Sequence, residues 1–208
     1  MKTLLILFLP LSIYANCNYP EHWWKKAENP SSWEISPHTA IKNKEVVLSK
    51  RNELGILSNF APTPFVLDGK KYASLEGFWQ ALKFPDEKLK GDIRKEETYS
   101  HTRSEVEQLS AFTAKKAGSA ASKIMKKLGI NWVSYQGEIM EYKTPKKAKH
   151  YKLIIRAMKA KYEQNPKVQT ILKSTCNLKL LADHQVKVSD PPAWKYYKIW
   201  EQIRSGEL

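Results

Sequence analysis

The alternation of hydrophobic and polar residues within Gly55–Phe84 predicts a β-hairpin that leads directly into a helix. The runs Phe65–Leu67 and Lys70–Tyr72 flank the pair Asp68-Gly69, and Asp-Gly between such runs is a strong short-range hairpin signal. After the second run, apolar residues recur at helical spacing behind Ser74, a residue type that caps helix N-termini. We therefore expect two short strands and then a helix whose N-cap is Ser74.

Most of the remaining pattern is helical. Ser104–Leu128 contains no proline and precedes Gly129, a residue type that commonly ends helices, while Gly118 is a candidate break within the run. Thr144-Pro145 predicts the start of another helix, which should stop near Asn165-Pro166. Further elements are expected as a strand at Glu45–Ser49, a short helix to about Lys173, an extended segment at Leu178–Ala182 and a final helix near Pro192. The fold class predicted is α+β: a single, mainly helical domain with a small β-sheet or hairpin.

Charge is the unusual part of the composition. The chain carries 35 Lys and Arg against 21 Asp and Glu, a net charge of +14. Between Lys115 and Lys161 thirteen basic residues stand against two acids, Glu138 and Glu141. In the helix after Thr144-Pro145, apolar residues form a core-facing stripe and the lysines, Lys161 included, fall on the opposite face. This excess favours an anionic partner such as a nucleotide or nucleic acid; the alternative is a solvated helix surface.

The N-terminus predicts three segments: an export signal at 1–15, a Trp- and Pro-rich arm at 16–43 and the main domain at 44–208. Met1-Lys2 is positively charged and Thr3–Tyr14 is an apolar run too short to span a bilayer comfortably. An uncleaved anchor or a buried first helix is the alternative. For an exported chain, Cys17 and Cys176 are candidates for one disulfide. Two cysteines without a ligand cluster predict no metal site, and no cofactor is predicted.

Four short motifs within the first block resemble the signature of the NADAR family. They are Leu57-Ser58-Asn59-Phe60, Leu67-Asp68-Gly69-Lys70, Ser74-Leu75-Glu76 and Gln80-Ala81-Leu82-Lys83-Phe84. The resemblance implies a NADAR-like fold and N-glycosidase activity. Its best-known members act on riboflavin-pathway intermediates, and others remove ADP-ribose from guanine bases. Riboflavin-type members tend to have His where this chain has Gly77, and a glycine-rich loop where it has Ser189–Trp194, which weighs against a riboflavin intermediate.

Three residues are the candidates for catalysis. Glu76 matches the catalytic glutamate of the family motif, and a carboxylate stabilises the oxocarbenium-like state of N-glycoside cleavage. The alternative is a carboxylate that serves only the helix dipole. Lys83 is either a nucleophile toward the sugar C1 carbon or a phosphate clamp. Asp183 is the candidate second carboxylate, with Asp190 as a competing choice.

Seven further residues are candidates for binding the substrate. Polar groups would contact the ribose or base, and aromatic rings would stack on the base. Core packing is the alternative for Phe60 and Trp132. The candidates are Ser58, Asn59, Phe60, Trp79, Gln80, Trp132 and His184.

The function predicted is an exported, periplasmic or secreted N-glycosidase. Its substrate would carry a ribose–base bond in an ADP-ribosyl or related phosphorylated nucleotide. The alternatives are a binding module that holds ADP-ribose or nucleic acid without cleaving it, and a riboflavin-intermediate N-glycosidase. Nucleic acid is a possible partner, stable membrane association is not expected, and the oligomeric state is left open.

Overall fold

The computed structural model describes residues 17–208, so the export signal predicted at 1–15 lies outside the described residues. Six α-helices and three two-stranded sheets in this part confirm the α+β prediction. In chain order the strands and helices are β1 (Glu45–Val47), β2 (Phe65–Leu67), β3 (Lys70–Tyr72), α1 (Leu75–Ala81), α2 (Arg103–Glu107), α3 (Ala111–Lys127), β4 (Trp132–Tyr135), β5 (Glu138–Glu141), α4 (Lys149–Gln164), α5 (Pro166–Ser174), β6 (Lys179–Leu181) and α6 (Tyr196–Ser205).

The hairpin predicted around Asp68-Gly69 is confirmed, and it fixes the start of α1. Strands β2 and β3 pair antiparallel with Phe65 opposite Tyr72, whose buried rings stack at 5.5 Å between centroids. Both rings also pack edge-on against Phe78 of α1. The Ser74 hydroxyl accepts a hydrogen bond from the backbone N–H of Gly77 at 2.9 Å, as an N-cap does. The hairpin and the cap together determine which side chains of α1 face inward.

Strands β1 and β6 form a parallel pair although they lie near opposite ends of the chain. Val46 and Leu180 are opposite each other and fully buried. The carboxyl ends of parallel strands lie at the same edge of a sheet, so the residues that follow β1 meet those that follow β6. Lys50 and Asp183 consequently form an ion pair at this edge.

The helix predicted over Ser104–Leu128 is divided, but not at Gly118. The break lies between α2 and α3, where the N–H of Ala111 bonds to the carbonyl of Phe60 at 3.2 Å instead of continuing the helix. The next helix also begins later than predicted. Thr144 caps a turn by accepting from the N–H of Lys146, and α4 starts only at Lys149.

Two further elements differ in detail from the prediction. The antiparallel hairpin of β4 and β5 was not predicted, because its Gln136-Gly137 turn lacks the Asn or Asp that usually signals such a turn. The final helix begins at Tyr196, after a short 3₁₀ turn at Pro192–Trp194. No helix within residues 17–208 is long and apolar enough to cross a bilayer.

The N-terminal arm packs closely against the rest of the chain. Trp23 and Trp24 are buried, and their indole N–H groups donate to the Glu53 carboxylate at 2.6 Å and the Glu45 carbonyl at 2.8 Å. A disulfide joins Cys17 to Cys176 just beyond α5. The arm therefore contributes to the same core, and a domain boundary at 43/44 stays a prediction.

Lys161 is buried, so its predicted place on the solvated face of α4 is wrong. Its Nζ donates to the carbonyl of Ser58 at 2.8 Å and lies 5.8 Å from the centroid of the Trp200 ring. Burial lowers the pKa of Lys161 from 10.5 to about 7. The hydrogen bond holds the loop that contains Ser58 and Asn59 against α4.

The buried Lys161 should make stability depend on pH. Between about pH 7 and 10.5 the unfolded chain holds the Lys161 proton and the folded chain releases it, so the free energy of unfolding rises with pH. We expect Lys161→Met to remove this part of the slope. Urea unfolding at pH 6, 7.5 and 9 measures the slope.

Lys152→Met, an exposed change on the same helix, is the control and should keep the slope of the unsubstituted protein. If Lys161→Met and the unsubstituted protein give parallel slopes, Lys161 does not titrate in this range.

Candidate active site

A cavity of about 400 Å³ lies between α1, α3 and the edge at which β1 and β6 end. Ligand pockets usually occupy roughly 300–1,000 Å³, so the volume suits a small ligand or part of one. Nine of the ten predicted site residues line this cavity: Ser58, Asn59, Phe60, Glu76, Trp79, Gln80, Lys83, Asp183 and His184. The chemical roles predicted for them stay predictions.

Glu76 lies in the first turn of α1 and is only 5% exposed. Its backbone N–H donates to the carbonyl of Asn59 at 2.9 Å, and its Oε1 accepts from Nε2 of Gln80 at 2.7 Å. Burial raises the pKa of the Glu76 carboxyl, and the opposing effects of Gln80 and of nearby lysines do not cancel it. A carboxyl of this kind can hold a proton for transfer to a ligand.

The side chain of Gln80 occupies the space that a side chain at position 118 would fill. A Cβ at position 118 would stand 1.7 Å from Oε1 of Gln80, so α3 can approach α1 only with glycine there. This close approach explains the glycine at position 118, and α3 continues through it.

Lys83 is buried near the C-terminal end of α1 and is also only 5% exposed. Its Nζ donates to the hydroxyl of Ser122 at 3.0 Å and lies 5.3 Å from the centroid of the Tyr142 ring. Burial, reinforced by the charge of Lys115, lowers the pKa of Lys83 to about 8. About a tenth of the amine is therefore uncharged at pH 7, far more than in an ordinary lysine.

Asp183 differs from Glu76 in its surroundings. It forms an ion pair with Lys50, accepts from Nδ1 of His184 at 2.9 Å, and accepts from the Tyr196 hydroxyl at 3.4 Å. Burial alone would raise the pKa of this carboxyl, but the bond to His184 and the charge of Lys50 outweigh it and hold the pKa below its usual value. Asp183 is consequently ionised while Glu76 retains protons more readily.

One wall of the cavity is aromatic. The Trp79 indole N–H donates to the hydroxyl of Tyr142 at 3.0 Å, and both rings pack edge-on against His150. Burial lowers the pKa of His150 to about 4, so its ring is neutral at physiological pH. Burial also raises the pKa of Tyr142 to about 12, which keeps its hydroxyl protonated. Trp79, Tyr142 and His150 are therefore uncharged near neutral pH.

Trp132 lies outside this cavity, so the structure does not support its predicted contact with the substrate. Its ring packs on the guanidinium of Arg94 at 4.5 Å, in a buried network with Asp92 and Ser134. Asp190, the competing carboxylate, does not line the cavity either and caps the N–H of Lys187.

Seven residues that sequence reasoning did not propose also line the cavity: Trp33, Lys50, Phe112, Lys115, Tyr142, Trp194 and Tyr196. Most come from segments far from the first motif block. Trp33 belongs to the N-terminal arm, and Tyr142 follows the hairpin that was not predicted. No local pattern signals such positions, because only the tertiary fold brings them to α1.

Three buried polar atoms in the cavity have no hydrogen-bond partner within residues 17–208. They are the Oδ1 atom of Asn59, the Oε1 atom of Gln80 and the Nε1 atom of Trp194. Buried polar atoms are usually paired, so the Asn59 and Trp194 atoms are candidates to bond a ligand, whereas Oε1 of Gln80 packs against Gly118 of α3. No group of three or more His, Cys, Asp or Glu side chains in the described residues could hold a metal ion.

Gly77 packs directly against backbone carbonyl groups at the end of α2 and just after it. A Cβ there would stand 2.4 Å from the carbonyl oxygen of Leu109. A histidine at this position, as in riboflavin-type members, would require the segment after α2 to move. The packing of α1 against that segment therefore requires the glycine that this chain has in place of histidine.

Residues 51–187 match the family model described as bacteriophage protein GP30.3, a NADAR-type family, and this range contains all ten predicted site residues. The chain belongs to this family, as the resemblance predicted. Among curated proteins it is similar to N-glycosidase YbiA of Escherichia coli (strain K12) and of Shigella boydii serotype 4 (strain Sb227). Each is 29% identical over 133 residues, or 64% of this chain and 65% of the relative.

The chain thus spans just under two thirds of the length of these curated relatives. Among solved structures it is similar to the NMR structure of the E. coli protein YbiA. That likeness has 19% identity and a TM-score of 0.48, and it covers 81% of this chain and 87% of the other.

The contact between Gln80 and Gly118 gives a paired test of the site. Gly118→Ala should destabilise the protein by about 1–3 kcal/mol, because the new methyl group forces Gln80 away from Glu76. In a Gln80→Ala background the same change should be neutral or stabilising by up to about 1 kcal/mol, since alanine favours helix. Urea unfolding of the four proteins measures the coupling.

Ser119→Ala, an exposed change in the same turn of α3, is the control. Equal destabilisation by Gly118→Ala in both backgrounds would show that Gln80 is not the group it displaces.

Proposed function

We propose that this protein is an N-glycosidase that hydrolyses the bond between the C1′ carbon of a ribose and a nucleobase. The proposed substrate is an ADP-ribosyl or related phosphorylated nucleotide. The observation that carries the proposal is that one cavity holds two buried carboxyls in different surroundings: Asp183 pairs with Lys50 and His184, whereas Glu76 accepts from the neutral amide of Gln80. These surroundings lower the pKa of Asp183, and burial raises the pKa of Glu76. Such a division is typical of acid and base roles in one active site. The curated relatives that are named N-glycosidase support the same class.

The chemistry divides between three side chains. Protonated Glu76 donates to the base as the C1′–N bond breaks, and ionised Asp183 faces the positive charge that develops on the sugar. The uncharged amine of Lys83 attacks C1′, and one of its protons passes to Glu76. Water then cleaves the new C1′–Nζ bond, so the sugar leaves with a hydroxyl at C1′ and the amine is restored.

Lys83 suits this nucleophilic role better than the role of a phosphate clamp. A nucleophile has to be uncharged, and the lowered pKa of about 8 makes the uncharged form of Lys83 far more available than that of an ordinary lysine. Lys50 and Lys115 also line the cavity, and Lys115 is exposed. The charges of both lysines act on Glu76. These two lysines are the groups we assign to the phosphates.

The charge of the whole protein supports an anionic substrate. A net charge of +14 raises the local concentration of anions and accelerates their encounter with the protein. Nucleic acid that bears the modified base is compatible with the same charge and remains a possible partner.

The turnover test uses the purified protein with ADP-ribosylated guanosine, NAD and riboflavin intermediates, and chromatography of the released base. We expect the unsubstituted protein to release base from an ADP-ribosyl or related phosphorylated nucleotide. Glu76→Gln should lower kcat by about 10²–10⁴-fold, because the amide cannot donate the proton. Glu163→Gln, an exposed change on α4, is the control and should leave kcat unchanged. Absence of turnover with every substrate would reject the proposal.

The pH profile separates the roles of Glu76 and Lys83. The active form of the Glu76–Lys83 pair holds one proton, on Glu76. As the pH rises, kcat should therefore increase when the pair loses the first of its two protons, and decrease when it loses the second near pH 8. In Glu76→Gln the residual activity should instead rise through the pKa of Lys83. Lys83→Arg should be inactive at every pH, while Lys115→Arg should keep the profile. An active Lys83→Arg protein would exclude the nucleophile.

The proposed site of action is outside the cytoplasm. The disulfide between Cys17 and Cys176 supports this proposal, since disulfides form and persist in oxidising compartments. Fractionation of cells that express the full chain tests it: the reduced, full-length protein in the cytoplasm would contradict export.

A further inference from the structure

Two exposed aromatic rings stand at the mouth of the active-site cavity. Trp33 is 44% exposed and Phe112 is 61% exposed, although both line the cavity. Phe112 belongs to the first turn of α3. Trp33 comes from the N-terminal arm, outside the residues 51–187 that match the family model. The arm therefore adds a ring to the site that the family match does not include.

The rings form one continuous aromatic rim. The centroids of Trp33 and Phe112 are 6.2 Å apart, and those of Phe60 and Phe112 are 5.1 Å apart, with both pairs edge to face. The Nζ atom of Lys50 lies 5.3 Å from the Trp33 ring and 5.0 Å from the Phe60 ring. A cation thus lies between the rim and the interior, where it also pairs with Asp183.

The backbone of the arm holds Trp33 in this position. The next residue, Glu34, forms an antiparallel bridge with His184, and the N–H of Ile35 donates to the carbonyl of Asp183 at 2.8 Å. The side chain of Glu34 accepts from Nη2 of Arg51 at 2.8 Å. The backbone at Trp33 is consequently fixed relative to Asp183, which places its side chain at the mouth of the cavity.

We propose that Trp33 and Phe112 form an outer subsite that stacks the second base of a pyrophosphate-linked dinucleotide. This inference rests on the proposed function and specifies its substrate class. The cavity of about 400 Å³ holds the ribose and the leaving base, and the second base lies on the rim. The pyrophosphate between them lies beside Lys50 and Lys115.

The geometry favours a flat, uncharged ring as the occupant. Indole and phenyl rings offer stacking faces to any base, and stacking does not depend on which base is present. The interior already supplies the acids and polar atoms for the sugar, so the rim adds affinity without touching the reacting bond. Trp33 should accordingly affect binding and KM but not kcat.

Binding of two probes to the Glu76→Gln protein tests the subsite without turnover. ADP-ribose carries the adenine that would occupy the outer subsite, and ribose 5-phosphate has no base. We expect Trp33→Ala to weaken ADP-ribose binding about tenfold, as expected for the loss of one stacked base, and to leave ribose 5-phosphate unchanged. Trp33→Phe keeps a stacking ring and should restore most of the affinity. Isothermal titration calorimetry measures the dissociation constant of each probe.

In the protein that retains Glu76, Trp33→Ala should raise KM for the dinucleotide substrate and leave kcat unchanged. If Trp33→Ala weakens the binding of both probes equally, Trp33 only supports the fold. If it weakens the binding of neither probe, the rim binds nothing. Either result overturns the proposal. Tight binding of a single-stranded oligonucleotide that depends on Trp33, without a difference between the two probes, would assign the rim to nucleic acid instead.

The N-glycosidase activity and the outer subsite are tested separately by these experiments. If the unsubstituted protein turns over no substrate but Trp33→Ala selectively weakens ADP-ribose, the proposed function falls and the outer subsite stands. If turnover is seen and the two probes respond equally to Trp33→Ala, the outer subsite falls and the N-glycosidase proposal stands.

Discussion

The hydrogen bond between Gln80 and Glu76 inside α1 is the interaction on which the site depends. A buried carboxyl is costly unless a partner compensates for the lost water, and the amide four residues later supplies that partner within the same helix. The amide keeps its position only because α3 presents a glycine to it. Three residues on two helices thus fix the position of one carboxyl, and burial at that position raises its pKa although the bond to Gln80 opposes the rise.

The second constraint is the parallel pairing of β1 with β6. It joins segments that lie far apart in the chain and places Lys50 against Asp183. The other carboxyl of the cavity, that of Glu76, accepts from the neutral amide of Gln80 instead. One carboxyl in the cavity is therefore ionised and the other is inclined to keep its proton. The difference arises from the fold, because the two side chains have nearly the same intrinsic acidity.

Local signals predicted the parts of the fold that depend on neighbouring residues. The Asp68-Gly69 turn and the Ser74 cap are properties of a few consecutive residues, and both are found as expected. Lys161 was misassigned because helical spacing gives a face but not its depth, and α4 is buried over a wider arc than its apolar stripe suggests. The candidate break at Gly118 is not found, because the sequence does not show which group packs against a glycine.

The candidate site follows the same division. The motif block placed Glu76, Gln80 and Lys83 together because they share one short helix. Trp132 and Tyr142 lie on either side of one hairpin, and nothing in their local sequence indicates which of the two faces the cavity. Trp33 was not proposed because its position follows from a backbone bridge to residues near the other end of the chain.

The disulfide between Cys17 and Cys176 closes a covalent ring around most of the chain, including every residue of the first motif block. A single cut by a protease at any exposed loop within that ring would leave one covalently joined molecule. The two pieces could separate only after reduction or a second cut. A chain closed in this way tolerates a cut that would divide an open chain in two.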